Sequence, residues 1–341
     1  MRKQIPDSSI DRDRACSLAH GTWRRVGAKL ACAGACALMV GQLLLPSVAL
    51  AADWVNVGGT QYNRGTAAGD EAGTWSWDGG DDMKLNGYDG AGISAQGNLN
   101  IGVTGTNTVT ADSLRSAIEV KDGNLAITGE GTLNATAEPQ KSRSAVKVEC
   151  GSLAISGDVT LNATAGTDTI AVSGDGKTGG DMDIRGANVN VTATNKAPHT
   201  IGIHTRAGNI TINEGADVHV EAEANGGLNA VAGYAENISS EHGGCIAADN
   251  AKLDAAARNG CSVSVALYSS GGKDTYLSVT NGADVTLVAS DRADVLDGVW
   301  MRAGDGVSRV LVENSSLTVR CGDGTGHSRK HGYGIYSQSG S

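Results

Sequence analysis

Along most of this chain apolar and polar residues alternate in short runs, and the runs recur in a fixed order. The most regular run is a phrase of glycine, a small polar residue, an aliphatic, any residue and a second aliphatic. It stands at Gly97-Asn98-Leu99-Asn100-Ile101, Gly123-Asn124-Leu125-Ala126-Ile127 and Gly151-Ser152-Leu153-Ala154-Ile155. It returns at Gly180-Asp181-Met182-Asp183-Ile184 and Gly208-Asn209-Ile210-Thr211-Ile212, degrades at Gly244-Cys245-Ile246-Ala247-Ala248, and persists without glycine around Leu277 and Val310. Alternation of this kind buries one face of a strand and wets the other. The glycine marks the turn that delivers the chain into it.

Each phrase has companions. Ile118/Val120, Val146/Val148, Ile170/Val172, Ile201/Ile203 and Val263/Val265 precede it. Leu133/Ala135, Leu161/Ala163, Val189/Val191, Val218/Val220, Leu253/Ala255, Val285/Leu287 and Leu317/Val319 follow it. Three short strands per unit of 26 to 36 residues describe one turn of a three-sided coil. No helical period follows residue 52, a propeller blade needs four strands, and a sandwich would not hold one residue class in one register through so many units. The pattern predicts an all-β chain, a right-handed parallel β-helix of about eight three-strand coils with equivalent positions ~4.8 Å apart. The small polar column Asn98, Asn124, Ser152, Asp181 and Asn209 should then form a hydrogen-bonding ladder.

The ends of such a stack need closing, because an open coil presents unpaired backbone. Residues 52–92 lie outside the repeat; Trp54-Val55-Asn56-Val57 and Thr74-Trp75-Ser76-Trp77 read as strands of an N-terminal cap. Residues 93–341 are the β-helix. Gly332-Tyr333-Gly334-Ile335-Tyr336 resembles the opening strand of another coil, so a continuation of the sequence, a further domain or another chain is expected to cover that edge.

Composition sharpens this picture. There are 49 glycines and no phenylalanine, which suits a core of aliphatics stacked in register. Residues 1–51 are an export signal: Arg24, Arg25 and Lys29 precede the apolar run from Leu30 to Leu45, and Ala49-Leu50-Ala51 places cleavage between Ala51 and Ala52. The product is expected to be secreted, extracellular or held at the cell surface, with no membrane segment after cleavage. Residues 1–51 hold seven Lys/Arg and three Asp/Glu of the totals of 27 and 37, so the remainder carries a net charge of −14. That argues against nucleic acid as a partner. The cysteines left after cleavage are Cys150, Cys245, Cys261 and Cys321; their spacing fits no zinc motif and leaves three disulfide pairings or buried thiols open.

The run Trp75-Ser76-Trp77-Asp78, Met83-Lys84-Leu85, Gly87-Tyr88-Asp89-Gly90, Ile93 and Gly105-Thr106-Asn107-Thr108-Val109 resembles secreted bacterial carbohydrate-binding-domain proteins whose relatives are pectate-lyase-like β-helices. The resemblance spans roughly residues 74–165. It implies a non-catalytic β-helix that binds acidic plant polysaccharide, cellulose or a host glycan, with calcium as a conceivable aid. It names no binding residue.

Two clusters carry candidate chemistry. Trp75 and Trp77 share one face of an alternating strand and could stack on sugar rings, with Asp78, Asp81 and Asp82 accepting hydroxyl hydrogen bonds. The competing reading, that both indoles plug the first coil, is the plainer one. Asp181 and Asp183 flank Met182 and could hold Ca²⁺ with Asp175 near in sequence, although a solvated charged face explains them as well. Catalysis finds little support, since no opposed carboxylates or aligned cationic rows accompany His199, His204 and His219. Three roles stay open: a glycan-binding module, an adhesin or stalk, and a polysaccharide lyase or hydrolase.

Overall fold

A computed structural model of the chain describes residues 51–111, 116–138, 143–174, 180–195, 198–225, 227, 229–237, 244–260, 262–290, 293–322 and 331–339. The regular elements among them are all strands, and they wind as a right-handed parallel β-helix. Ile93–Gln96, Leu99–Thr104 and Thr106–Thr110 make the first three-strand coil. Val295–Ala303, Ser308–Glu313 and Ser316–Cys321 make the eighth among the described residues. Each coil gives one strand to each of three sheets, here the first, second and third in chain order.

The expected columns superpose. In the second sheet Leu99, Leu125, Leu153, Met182, Ile210, Ile246, Leu277 and Val310 follow one another in parallel register. In the third sheet Leu133, Leu161, Val189, Val218, Leu253, Val285 and Leu317 do the same. All but the last member of each column are buried, and each such side chain contributes about 1.5–3 kcal/mol of transfer free energy. The glycine of the phrase is required by close stacking at the corner. A Cβ on Gly151 would lie 2.0 Å from the Gly123 carbonyl oxygen, and one on Gly123 would lie 2.2 Å from the Gly97 carbonyl carbon.

The polar ladder forms beside it. The side-chain oxygens of Asn98, Asn124, Asp181 and Asn209 accept from the backbone amides of Asn124, Ser152, Asn209 and Cys245, one coil further on, at 2.8 to 3.0 Å. A second ladder runs over the third sheet: Asn162 donates to Asn134 at 2.8 Å and Asn190 to Asn162 at 2.9 Å. Both satisfy side chains that would otherwise compete with the strands for backbone partners.

The N-terminal end is closed by reversing strand direction. Trp54–Val57 runs antiparallel to Thr60–Asn63 and to Ile93–Gln96, while Trp75–Trp77 runs antiparallel to Ala68–Gly69 and to Asp82–Asn86. At the other end Ser308–Glu313, Ser316–Cys321 and His331–Ser339 are the outermost strands of the three sheets. His331–Ser339 pairs in parallel with Val295–Ala303, as the opening strand of a further coil would. Val307, Leu311, Val312, Tyr333 and Ile335 are exposed there.

One register departs from the sequence reading. Ile170 pairs with Ile203, and the column continues through Gly233, Leu267, Val299 and Ile335. Ile201 aligns instead with Asp168, and Val265 with Val231. The cause is strand length. Ile118–Lys121 has four residues, whereas His199–Thr205 has seven and Asn229–Asn237 nine, so more than one aliphatic pair fits the alternation. Close approach to the third sheet also acts here: a Cβ on Gly202 would lie 2.3 Å from Val220 Cγ1, and one on Gly298 2.0 Å from Val319 Cγ1.

Candidate functional site

The cap encloses the two tryptophans singled out above. Trp75 and Trp77 are 6% and 1% exposed, Trp77 Nε1 donates to the Gly80 carbonyl at 3.0 Å, and the Trp75 ring meets Tyr62 at 5.3 Å. Their faces are not open to a sugar, because they cover Met83 and Leu85 of the strand that lies against the first coil. The neighbouring carboxylates organise the loop. Asp78 accepts from the amides of Gly80 and Asp82 at 2.7 and 3.2 Å, and Asp82 accepts from Asn100 at 2.9 Å. Asp81 accepts from the Ala52 amide; burial, with Asp82 and Asp78 nearby, pushes its carboxyl above the usual range.

Asp181 and Asp183 are also engaged. Asp181 belongs to the corner ladder, taking both the Asn209 amide and its side chain, and burial raises its carboxyl. Asp183 is 7% exposed beneath Arg185, whose Nε and Nη2 approach its Oδ2 at 2.6 and 2.5 Å. Asp175 lies outside the described residues, as do the apolar run Leu30–Leu45, Cys261 and His327. Among the described residues no group of three or more His, Cys, Asp or Glu converges as a metal centre would require. At the expected cleavage point Ala51 bridges to Asn98 and Ala52 is fully buried. Cys150, Cys245 and Cys321 are half-buried. No helix among the described residues is long and apolar enough to cross a membrane.

The first sheet presents something the sequence reading passed over. One outward column reads His204, Tyr234, Tyr268, Trp300 and Tyr336 on five successive strands. His204 and Tyr234 stack at 4.6 Å and 8°, Tyr234 and Tyr268 at 4.6 Å and 19°. Tyr268 and Trp300 lie at 5.0 Å and 38°, Trp300 and Tyr336 at 6.0 Å and 59°. The rings thus pass from parallel stacking to a tilted arrangement toward the C-terminal end. There Tyr333, 47% exposed, stacks on Tyr336 at 5.3 Å and 13°. Because most ring faces are spent on one another, the middle of the ladder offers edges outward.

A polar row stands two residues further along each strand: Arg206, Glu236, Ser270, Arg302 and Gln338. Tyr234 and Ser270 hydroxyls lie 3.3 Å apart, and Tyr268 takes a hydrogen bond from Arg302. Burial raises both tyrosines, Tyr234 the more, so they are neutral hydroxyls at physiological pH. At the start of the row His204 Nδ1 lies 3.3 Å from Asp168 and Nε2 lies 3.7 Å from Glu236. Arg206 approaches Asp168 at 3.9 Å.

A sequence signal for this column exists. Gly202-Ile203-His204-Thr205, Ala232-Gly233-Tyr234-Ala235, Ala266-Leu267-Tyr268-Ser269, Gly298-Val299-Trp300-Met301 and Gly334-Ile335-Tyr336-Ser337 repeat as small, inner, ring-bearing, inner. The seven-residue step from Ile203 to Ile210 also equals those from Ile118 to Leu125 and from Val146 to Leu153. With this geometry in place the molecule's class is clear: a right-handed parallel β-helix with an external ring-bearing ladder on its first sheet. Comparison with protein-family models, curated proteins and solved structures finds no match.

Proposed function

We propose that this chain is a secreted or cell-surface, non-catalytic carbohydrate-binding β-helix that holds a glycan along the outer face of its first sheet. The observation that carries this reading is the paired ladder. Ring edges and hydroxyls from Tyr234 to Tyr336 run beside Arg206, Glu236, Ser270 and Arg302 on a rigid sheet. A linear polymer laid along the coil axis would meet a new ring and a new polar group at every strand spacing of ~4.8 Å. Tyr333, half exposed and stacked on Tyr336, adds a ring at the end of the track that a sugar face could meet. The charges of the row are mixed, so acidic plant polysaccharide, cellulose and host glycans are all admissible ligands, with no cation required at Asp181 or Asp183.

A second reading, an adhesin or stalk, draws support from the exposed apolar edge at Val312 and Ile335, where a further domain or chain would continue the stack. Depletion of the purified protein from solution by insoluble cellulose, pectin or host glycans, with and without chelator, separates the roles. Depletion insensitive to chelator supports the proposal. Release of unsaturated or reducing sugars would mark an enzyme, and neither depletion nor release leaves the stalk.

A further inference from the structure

His204 is the most enclosed ring-bearing residue of the ladder, with its side chain 5% exposed, and both of its ring nitrogens face carboxylate oxygens. Asp168 comes from the preceding coil and Glu236 from the following one, so the contact spans three coils. A carboxylate can only accept a hydrogen bond, while a neutral imidazole donates from one nitrogen alone. Neutral His204 would therefore set a ring lone pair against one of the two carboxylates. In that state Nε2 has no other acceptor or donor within hydrogen-bonding distance. The imidazolium alone satisfies both sides. Tyr234 stacks on the ring from the strand above, and uncharged Ala171 occupies the column below. Arg206, one residue past the strand His199–Thr205, faces Asp168 and balances the second negative charge.

We infer that Asp168, His204 and Glu236 form a proton-dependent clamp across three coils, closed in mildly acidic medium and released as pH rises. The surroundings agree in direction. Burial opposes the charged imidazole, but the hydrogen bond to Asp168 and the nearby Glu236 carboxylate outweigh it and raise the ring above its ordinary value. Burial would lift Asp168, yet its hydrogen bond to His204 and the charges of His204 and Arg206 leave it lowered. The contact with His204 lowers Glu236 in the same direction. A raised imidazole contributes stability that is complete below about pH 6.5 and lost as pH climbs through its folded value. The lowered carboxylates hold until the medium falls below about pH 4. The clamp is thus fully closed between roughly pH 4.5 and 6.5.

The test is a histidine-labelled NMR titration of the full chain from pH 5 to 9, with His204→Gln for assignment, beside thermal unfolding of both proteins over the same range. The clamp predicts that His204 binds its proton more tightly in the folded chain than in the urea-unfolded chain. It also predicts that the wild-type midpoint falls toward pH 9 while the variant loses most of that dependence. Should the variant not fold, Glu236→Gln keeps the ring in place and should bring its titration down by several-fold in proton affinity. A His204 that titrates at or below its value in the urea-unfolded chain, parallel midpoint profiles, or a titration unmoved by Glu236→Gln overturns the inference.

Discussion

At the residue scale, the fold rests on columns in which aliphatic side chains follow one another from coil to coil. Ile155 is fully buried between Ile127 and Ile184. Ile155→Ala should cost about 2–5 kcal/mol in chemical denaturation, since neighbours fixed by two hydrogen-bonded strands cannot collapse into the space. Asn162 occupies the middle of the outer ladder and both donates and accepts there, so Asn162→Ala should cost less, about 1 kcal/mol. A larger loss at Asn162 than at Ile155 would place the stability of the coil in its polar seams. The inner columns and the polar corner were legible in the sequence because one register alone satisfied the short strands. The ring-bearing column was not, because the long strands of the first sheet admit several alternations and proximity to Val220 and Val319 decides among them.

At the scale of elements, the cap converts the growing edge of two parallel sheets into antiparallel strands, which removes a template for adding further coils. Its tryptophans were legible as cap strands, but alternation says only that two side chains share a face, not whether that face looks inward. Their burial follows from the need to cover Met83 and Leu85, which themselves pair with Ile101 and Val103 of the first coil. The cap also bears on the proposed export. Ala52 is buried and its amide meets Asp81, so a cut between Ala51 and Ala52 has to precede folding and would leave an α-ammonium against that carboxylate. We predict that the exported protein begins at Ala52 by intact-mass analysis. In that processed protein Asp81→Asn should lower stability by about 1–3 kcal/mol at neutral pH, as a charged hydrogen bond becomes a neutral one. An unchanged denaturation midpoint would show that the new terminus takes no part in closing the cap.

At the scale of the whole molecule, the coil turns a short repeat into continuous sheets, and their three outer faces differ. The second sheet is lined at its corner by the amide ladder, the third by the asparagine ladder, and the first by rings with a polar row beside them. A stack of rings strengthens the sheet by about 0.5–1.5 kcal/mol per contact, so a purely structural ladder is physically sufficient. What ring stacking alone does not account for is the polar row beside it, where Ser270 and Arg302 stand against Tyr234 and Tyr268 along the same track. Affinity electrophoresis through gels containing soluble pectin, a soluble cellulose derivative or a host glycosaminoglycan tests this most directly, comparing the wild type with a Tyr268→Ala/Arg302→Ala variant of unchanged circular dichroism. The account predicts retardation of the wild type in at least one gel and its loss in the variant. Equal retardation of both proteins, or free migration of the wild type in every gel, would contradict it.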